Sequence, residues 1–151
     1  MGDRRIGVAA ADSETRLALP IGVVERVEPA ADLIAIARLV EEQKAQTLVL
    51  GLPISLNGSL GPQAQVVRAF GDQLAARLAV PVEYCDERFS TVEAQRRLAP
   101  PVGRAGQKKG GRSAKDRQAA RGRLDALAAA IILQSYLDRR AGGGSPPPAQ
   151  A

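Results

Sequence analysis

The stretch Thr47-Leu48-Val49-Leu50-Gly51-Leu52 holds no charged residue and is closed by Pro53. A continuous apolar run this short reads as a strand buried on both faces, since a half-buried strand would alternate and a buried helix would be longer. Upstream, Pro29 opens a segment in which Leu33, Ile36, Ala37, Val40 and Lys44 fall at helical spacing over Ala30 to Ala45, with Glu41 and Glu42 on a solvated face. Downstream, Val66, Val67, Phe70, Leu74 and Leu78 line one stripe of a second helix over 61–78, and another apolar strand follows at Val80 to Cys85. A buried strand between two amphipathic helices, with a further strand after them, sets the class as α/β.

Working outward, Arg5 to Ala11 and Leu17 to Val27 are short apolar runs across a turn-sized gap, which predicts an antiparallel hairpin. Pro20 has no amide to give a ladder, so the second strand is expected at an edge or broken there. Ser90 and Glu93 form a capping-box pattern, placing a short helix directly after Asp86-Glu87-Arg88-Phe89. From Pro100 to Ala119 the chain is basic and nearly free of apolar residues, which reads as a mobile loop. Leu124, Leu127, Ile131, Leu133 and Leu137 restore a helix over 122–139, and Ala141 to Ala151 reads as a disordered tail. The expected order is β-β-α-β-α-β-α-loop-α, a mixed sheet with helices on both faces, in one domain over residues 1–140.

Composition excludes more than it selects. The chain has 151 residues, no His and one Cys, and a net charge of +5. Without His the usual general base and zinc ligand are missing, and Cys85 alone makes neither an internal disulfide nor a multi-cysteine metal site. Chemistry must rest on carboxylates, lysines, hydroxyls or a hard cation. The basic balance suits a polyanionic partner without requiring one. No apolar run is long enough for a membrane span or shaped like a signal peptide, so the cytoplasm is the expected compartment.

Three places could carry function. Gly51-Leu52-Pro53-Ile54-Ser55-Leu56-Asn57-Gly58 runs from a strand through a sharp turn toward a helix whose first amides could hold a phosphate, although turns of this chemistry are common. Asp86-Glu87-Arg88 puts two carboxylates at a strand end, a donor set for a hard divalent cation and equally a solvated charged turn. Asp125 lies near the small residues Ala128 and Ala129, where a favourable helix dipole is the ordinary explanation for a lone acid in a first turn.

Taken together, Arg5-Ile6-Gly7-Val8-Ala9, Gly51-Leu52-Pro53 with Asn57-Gly58, Asp86 to Ala94 and Asp125 to Leu137 resemble the YqgF/RuvX family in order and spacing. The resemblance implies an RNase H-like fold and a nuclease hydrolysing phosphodiester bonds. Its implied substrate is the 5′ end of pre-16S rRNA during ribosome biogenesis, with pre-ribosomal particles as possible partners, or branched DNA as in Holliday junction resolvases. It implies Mg²⁺ or Mn²⁺ held by Glu87 and Asp125, with Asp86 beside them as a third catalytic carboxylate. Arg88, Lys108, Lys109, Arg112 and Lys115 are then expected to contact phosphates without reading sequence.

One departure stands out. The family pattern places an apolar strand and an Asp before Gly-x-Arg-Arg-Ile-Gly, whereas here Met1-Gly2-Asp3-Arg4-Arg5-Ile6-Gly7 follows no such strand. A start set too far downstream is therefore expected, with weak cleavage from a site short of one acid. The chain is expected to be poorly stable or to close up with the hairpin beside Thr47 to Leu52. The rival reading is a non-catalytic nucleic-acid or ribosome-associated module.

Overall fold

A computed structural model describes residues 4–55, 57–89 and 113–142. The first two strands are β1 (Arg5–Ala11) and β2 (Ala18–Glu25), followed by helix α1 (Pro29–Glu42), β3 (Leu48–Leu52), α2 (Pro62–Arg77), β4 (Val82–Asp86), a single 3-10 turn (Glu87–Phe89) and a long helix α3 (Ala114–Ala141). The helix expected after Ser90 lies outside the described residues.

β1 and β2 pair antiparallel from Arg5 opposite Glu25 to Ala11 opposite Ala18. Asp12 accepts from the amide of Glu14 at 2.7 Å and so shapes the connecting turn. The register slips between Val8 and Ala9, where Val8 faces Gly22 and Ala9 faces Pro20. This is the break expected at Pro20, a bulge beside the one residue that cannot donate. β3 and β4 pair in parallel, Leu48 opposite Val82 through Leu52 opposite Asp86.

The architecture is α/β with antiparallel and parallel strands and helices on both faces, as an RNase H-like fold requires. Alternation along the strands decides which helix each residue meets. Ile6, Val24, Leu48, Leu50 and Val82 pack on the core of Leu33, Ile36, Val40, Phe70 and Leu74 from α1 and α2. On the other face a β-carbon at Gly7 would meet Asp125, one at Gly51 would meet Ile132, and the Cys85 thiol reaches the Ile132 carbonyl, all on α3.

The strands form two separate pairs, not one continuous sheet: β1 with β2, and β3 with β4. The hairpin therefore does not close up against β3. Both pairs are clamped between the same helices, which fixes their spacing. β3 accordingly departs from the fully buried strand expected of it, since only Leu52 is buried and Leu48 to Gly51 are half-buried.

Helix faces also differ from the expected stripes. On α2 the buried side is Ala64, Val67, Phe70, Gly71 and Leu74, and Val66 is 53% exposed. α3 begins at Ala114, so residues 114–119 are helical where a loop was expected, and Ser113 and Asp116 form the capping box that starts it. Its buried face is Ala126, Ala130, Gln134, Ser135 and Tyr136, while Leu124 is 64% exposed. Where α3 crosses Gly7 of β1, Ala126 faces the strand because the backbones lie too close there for leucine.

Candidate active site

The two acidic motifs sit where the fold brings strand ends and α3 together. Leu52 and Asp86 are paired at the carboxyl ends of the parallel strands, so the segments that follow each strand emerge side by side. Open α/β sheets place their ligands at such ends.

Asp86 is buried, at 5% exposure. Its carboxylate accepts from the Arg88 backbone amide at 2.9 Å and from the Arg88 guanidinium, Nη2 at 2.7 Å and Nε at 2.9 Å. Burial alone would raise this carboxyl; hydrogen bonds from the Arg88 side chain and backbone, with the charges of Arg88 and Arg139, outweigh it and hold the group below its ordinary value. Arg88 also donates from Nη1 to the Ser55 carbonyl at 3.3 Å. Asp86 therefore anchors an arginine that links the Asp86-Glu87-Arg88 turn to the loop after β3.

That loop closes on itself. Ser55 donates its amide to the Ser59 carbonyl at 3.1 Å, Gly58 donates to the Ser55 carbonyl at 2.8 Å, and Asn57 Oδ1 accepts from the Ser59 amide at 3.0 Å. Gly58 takes φ +83°, a left-handed conformation that suits glycine.

Glu87 opens the 3-10 turn and folds back over the end of β3. A β-carbon at Gly51 would stand 2.8 Å from Glu87 Oε1 and 3.2 Å from Ile132 Cδ1. Gly51 thus leaves the space that the Glu87 side chain and Ile132 of α3 both approach. Asp125 presents its carboxylate from α3, where Oδ2 accepts from Arg5 Nε at 2.7 Å. It lies well inside the helix, about three turns from Ala114, which removes the dipole explanation expected of a first-turn acid. Ile132, beside Glu87, is seven residues after Asp125, hence on the same face of α3 and roughly 10 Å further along its axis.

The fold therefore gathers Asp86 and Glu87 at one strand end and sets Asp125 on the neighbouring helix, held by β1. Among the described residues no three acidic, Cys or His side chains cluster as a metal site. Glu87 and Asp125 each offer an oxygen donor of the kind that binds Mg²⁺, commonly held by one or two carboxylates, but with Glu87 beside Ile132, about 10 Å along α3 from an Asp125 held by Arg5, the two are not brought onto one ion. Lys115 is exposed on the first turn of α3. Lys108, Lys109 and Arg112 lie outside the described residues.

Arg5, which holds Asp125 of the candidate site, is a residue that the sequence reading did not single out. Its signal was the alternation of β1: it shares a strand face with Gly7, the face that receives α3, where a basic side chain needs an acidic partner.

Among the described residues no helix is long and apolar enough to cross a membrane. Residues 1–139 match the family described as RuvX: Holliday junction resolvase. A relative from an Anaeromyxobacter species, provisionally named a pre-16S rRNA nuclease, is 44% identical over 93% of this chain and 93% of its own. Relatives with the same provisional name from Gloeobacter violaceus and Chloroflexus aurantiacus are 45% and 39% identical over 93% of this chain, covering 81% and 84% of theirs. With the family matched across the acidic motifs and the strands that present them, the chain belongs to the RuvX Holliday junction resolvase family and is a nuclease, hydrolysing phosphodiester bonds.

Proposed function

We propose that this nuclease trims the 5′ end of pre-16S rRNA during ribosome biogenesis in the cytoplasm. The observation that carries the reading is the placement of Glu87 over Gly51 beside α3, the helix that also presents Asp125, in a chain whose relatives bear that name. Glu87 and Asp125 are each proposed to hold Mg²⁺ or Mn²⁺, a cation that would stabilise charge on the phosphate and activate water. Asp86 acts beside them by fixing Arg88, whose guanidinium faces the loop after β3. Lys115 and the basic residues Lys108, Lys109 and Arg112 provide phosphate contacts independent of sequence.

The family description favours a second reading, cleavage of branched DNA. Assaying one preparation on a 5′-extended pre-16S RNA fragment and on a four-way DNA junction, with Mg²⁺, Mn²⁺ or a chelator, separates the two. The RNA is expected to be cut and the junction spared. Glu87→Gln and Asp125→Asn are each expected to slow cleavage by on the order of a hundredfold, the usual effect of removing one transition-state contact. Junction cleavage alone would reverse the choice of substrate, and cleavage undiminished by chelator would remove the metal.

A further inference from the structure

Beside Asp125, β2 and the first half of α3 border an open cleft of about 670 Å³. Its floor is aliphatic, with Ile21 and Val23 of β2 opposed to Ala119, Gly122 and Leu127 of α3. Ile21 is 41% exposed there, an apolar surface that the fold itself does not cover. Gly122 deepens the floor, because even a β-carbon at this position would reach to 3.6 Å from Val23.

The rim is cationic. Arg5, Lys115 and Arg123 stand there against one acid, Glu25, which accepts a hydrogen bond from Gln118 Nε2 at 3.4 Å. Lys115 and Arg123 are exposed and have no ion-pair partner among the described residues. The cavity also abuts the active site, since Arg5 lines it and holds Asp125, and Ala126 lines it next in sequence.

An apolar cleft with positive charge along its mouth complements a ligand that is flat and weakly polar on its faces and anionic at one end. A nucleotide has that form, and the volume falls in the range of about 300–1,000 Å³ usual for small-ligand sites. We propose that this cavity takes one unstacked nucleotide of the strand bound at Asp125, its base against Ile21, Val23 and Leu127 and its phosphates on Lys115 and Arg123. Contact with the base comes from aliphatic surface, as in enzymes that hold a flipped base between apolar side chains. A stacked or paired base cannot enter, so the site selects strands with an unpaired nucleotide beside the reacting phosphodiester. The proposal rests on the nuclease reading and adds to it a preference for unpaired substrate.

The test uses a short single-stranded RNA carrying 2-aminopurine, whose fluorescence rises when the base leaves its stack, with anisotropy reporting total binding. On the full chain the fluorescence is expected to rise as the RNA binds. Gly122→Leu fills the floor from a helical position that favours a side chain; it is expected to abolish the rise and weaken binding about tenfold, the scale of one lost base contact. Gly122→Ala leaves ordinary contact with Val23 and is expected to keep both signals. Lys115→Gln with Arg123→Gln is expected to lower the salt slope of binding by about 1.4, near 0.7 per phosphate on a single strand. RNA binding with no rise, or a rise that survives Gly122→Leu, overturns the nucleotide site and leaves the nuclease reading standing. Failure of the unaltered chain to bind any nucleic acid overturns both.

Discussion

Gly7 and Asp125 meet backbone against backbone: a β-carbon on residue 7 would fall on the Asp125 carbonyl group. The position of the acid is thus set by the absence of a side chain on the strand beneath it. Gly7→Ala is expected to force α3 off β1, cost about 1–3 kcal/mol as overpacking does, and lower cleavage by shifting Asp125. Gly22→Ala, where nothing lies within 4 Å of the added carbon, is the matched control and should be near neutral. Denaturant melts of the two variants check the difference.

Gln134 is a buried polar residue that closes the β1–β2 turn from below. Its Oε1 accepts from the Ala18 amide at 2.9 Å and its Nε2 donates to the Arg16 carbonyl at 3.1 Å. Gln134→Leu leaves both backbone groups without this partner, so a loss of about 1–3 kcal/mol is expected. Stability should fall while Asp125 keeps its Arg5 contact, so the remaining folded protein should cleave at the normal rate.

The Asp86 carboxyl is held below its ordinary value of 3.8 in the folded chain. Its contribution to stability is therefore full above that value and is lost as pH falls through the lower, folded one. Asp86→Asn is expected to lower the Tm at neutral pH and to have progressively less effect as the solution is acidified below the ordinary aspartate range. Melting curves of both proteins from pH 7 down to pH 2 measure this. Parallel curves would show that Arg88 is not held by the carboxylate charge.

Burial pushes the Cys85 thiol above its ordinary value, and the side chain is only 2% exposed. Native protein is expected to react very slowly with a thiol reagent at neutral pH, the thiolate being scarce and covered. Added denaturant should speed labelling in step with unfolding. Fast labelling of the native chain would mean that β4 opens from α3 without global unfolding.

The sequence made the strands and helices legible wherever one local rule dominated. The apolar run before Pro53, Pro29 at the head of α1 and the bulge beside Pro20 all follow from residues a few positions apart. What escaped depended on distant neighbours. The inward face of α3 could not be read from its leucines, because closeness to Gly7 selects Ala126 and Ala130 instead. The start of α3 was hidden by charge, since a basic and solvated first turn resembles a loop until the capping box at Ser113 is weighed. Of the candidate site, Asp86, Glu87 and Asp125 were named from motifs. Arg5 and the Glu87–Gly51 contact were not, since each depends on which strand lies beneath which helix.

Long separation along the chain also has a temporal side. Arg5 and Ala18 are held by Asp125 and Gln134, residues 120 and 116 positions further on. A two-stranded hairpin alone is marginally stable in water, and closing so long a loop carries an entropic penalty before any contact rewards it. On the ribosome the hairpin therefore emerges early and waits, the face that receives α3 uncovered, until that helix has been made. Synthesis and folding run out of step at this point, and for that interval the nascent chain offers chaperones a recognisable target.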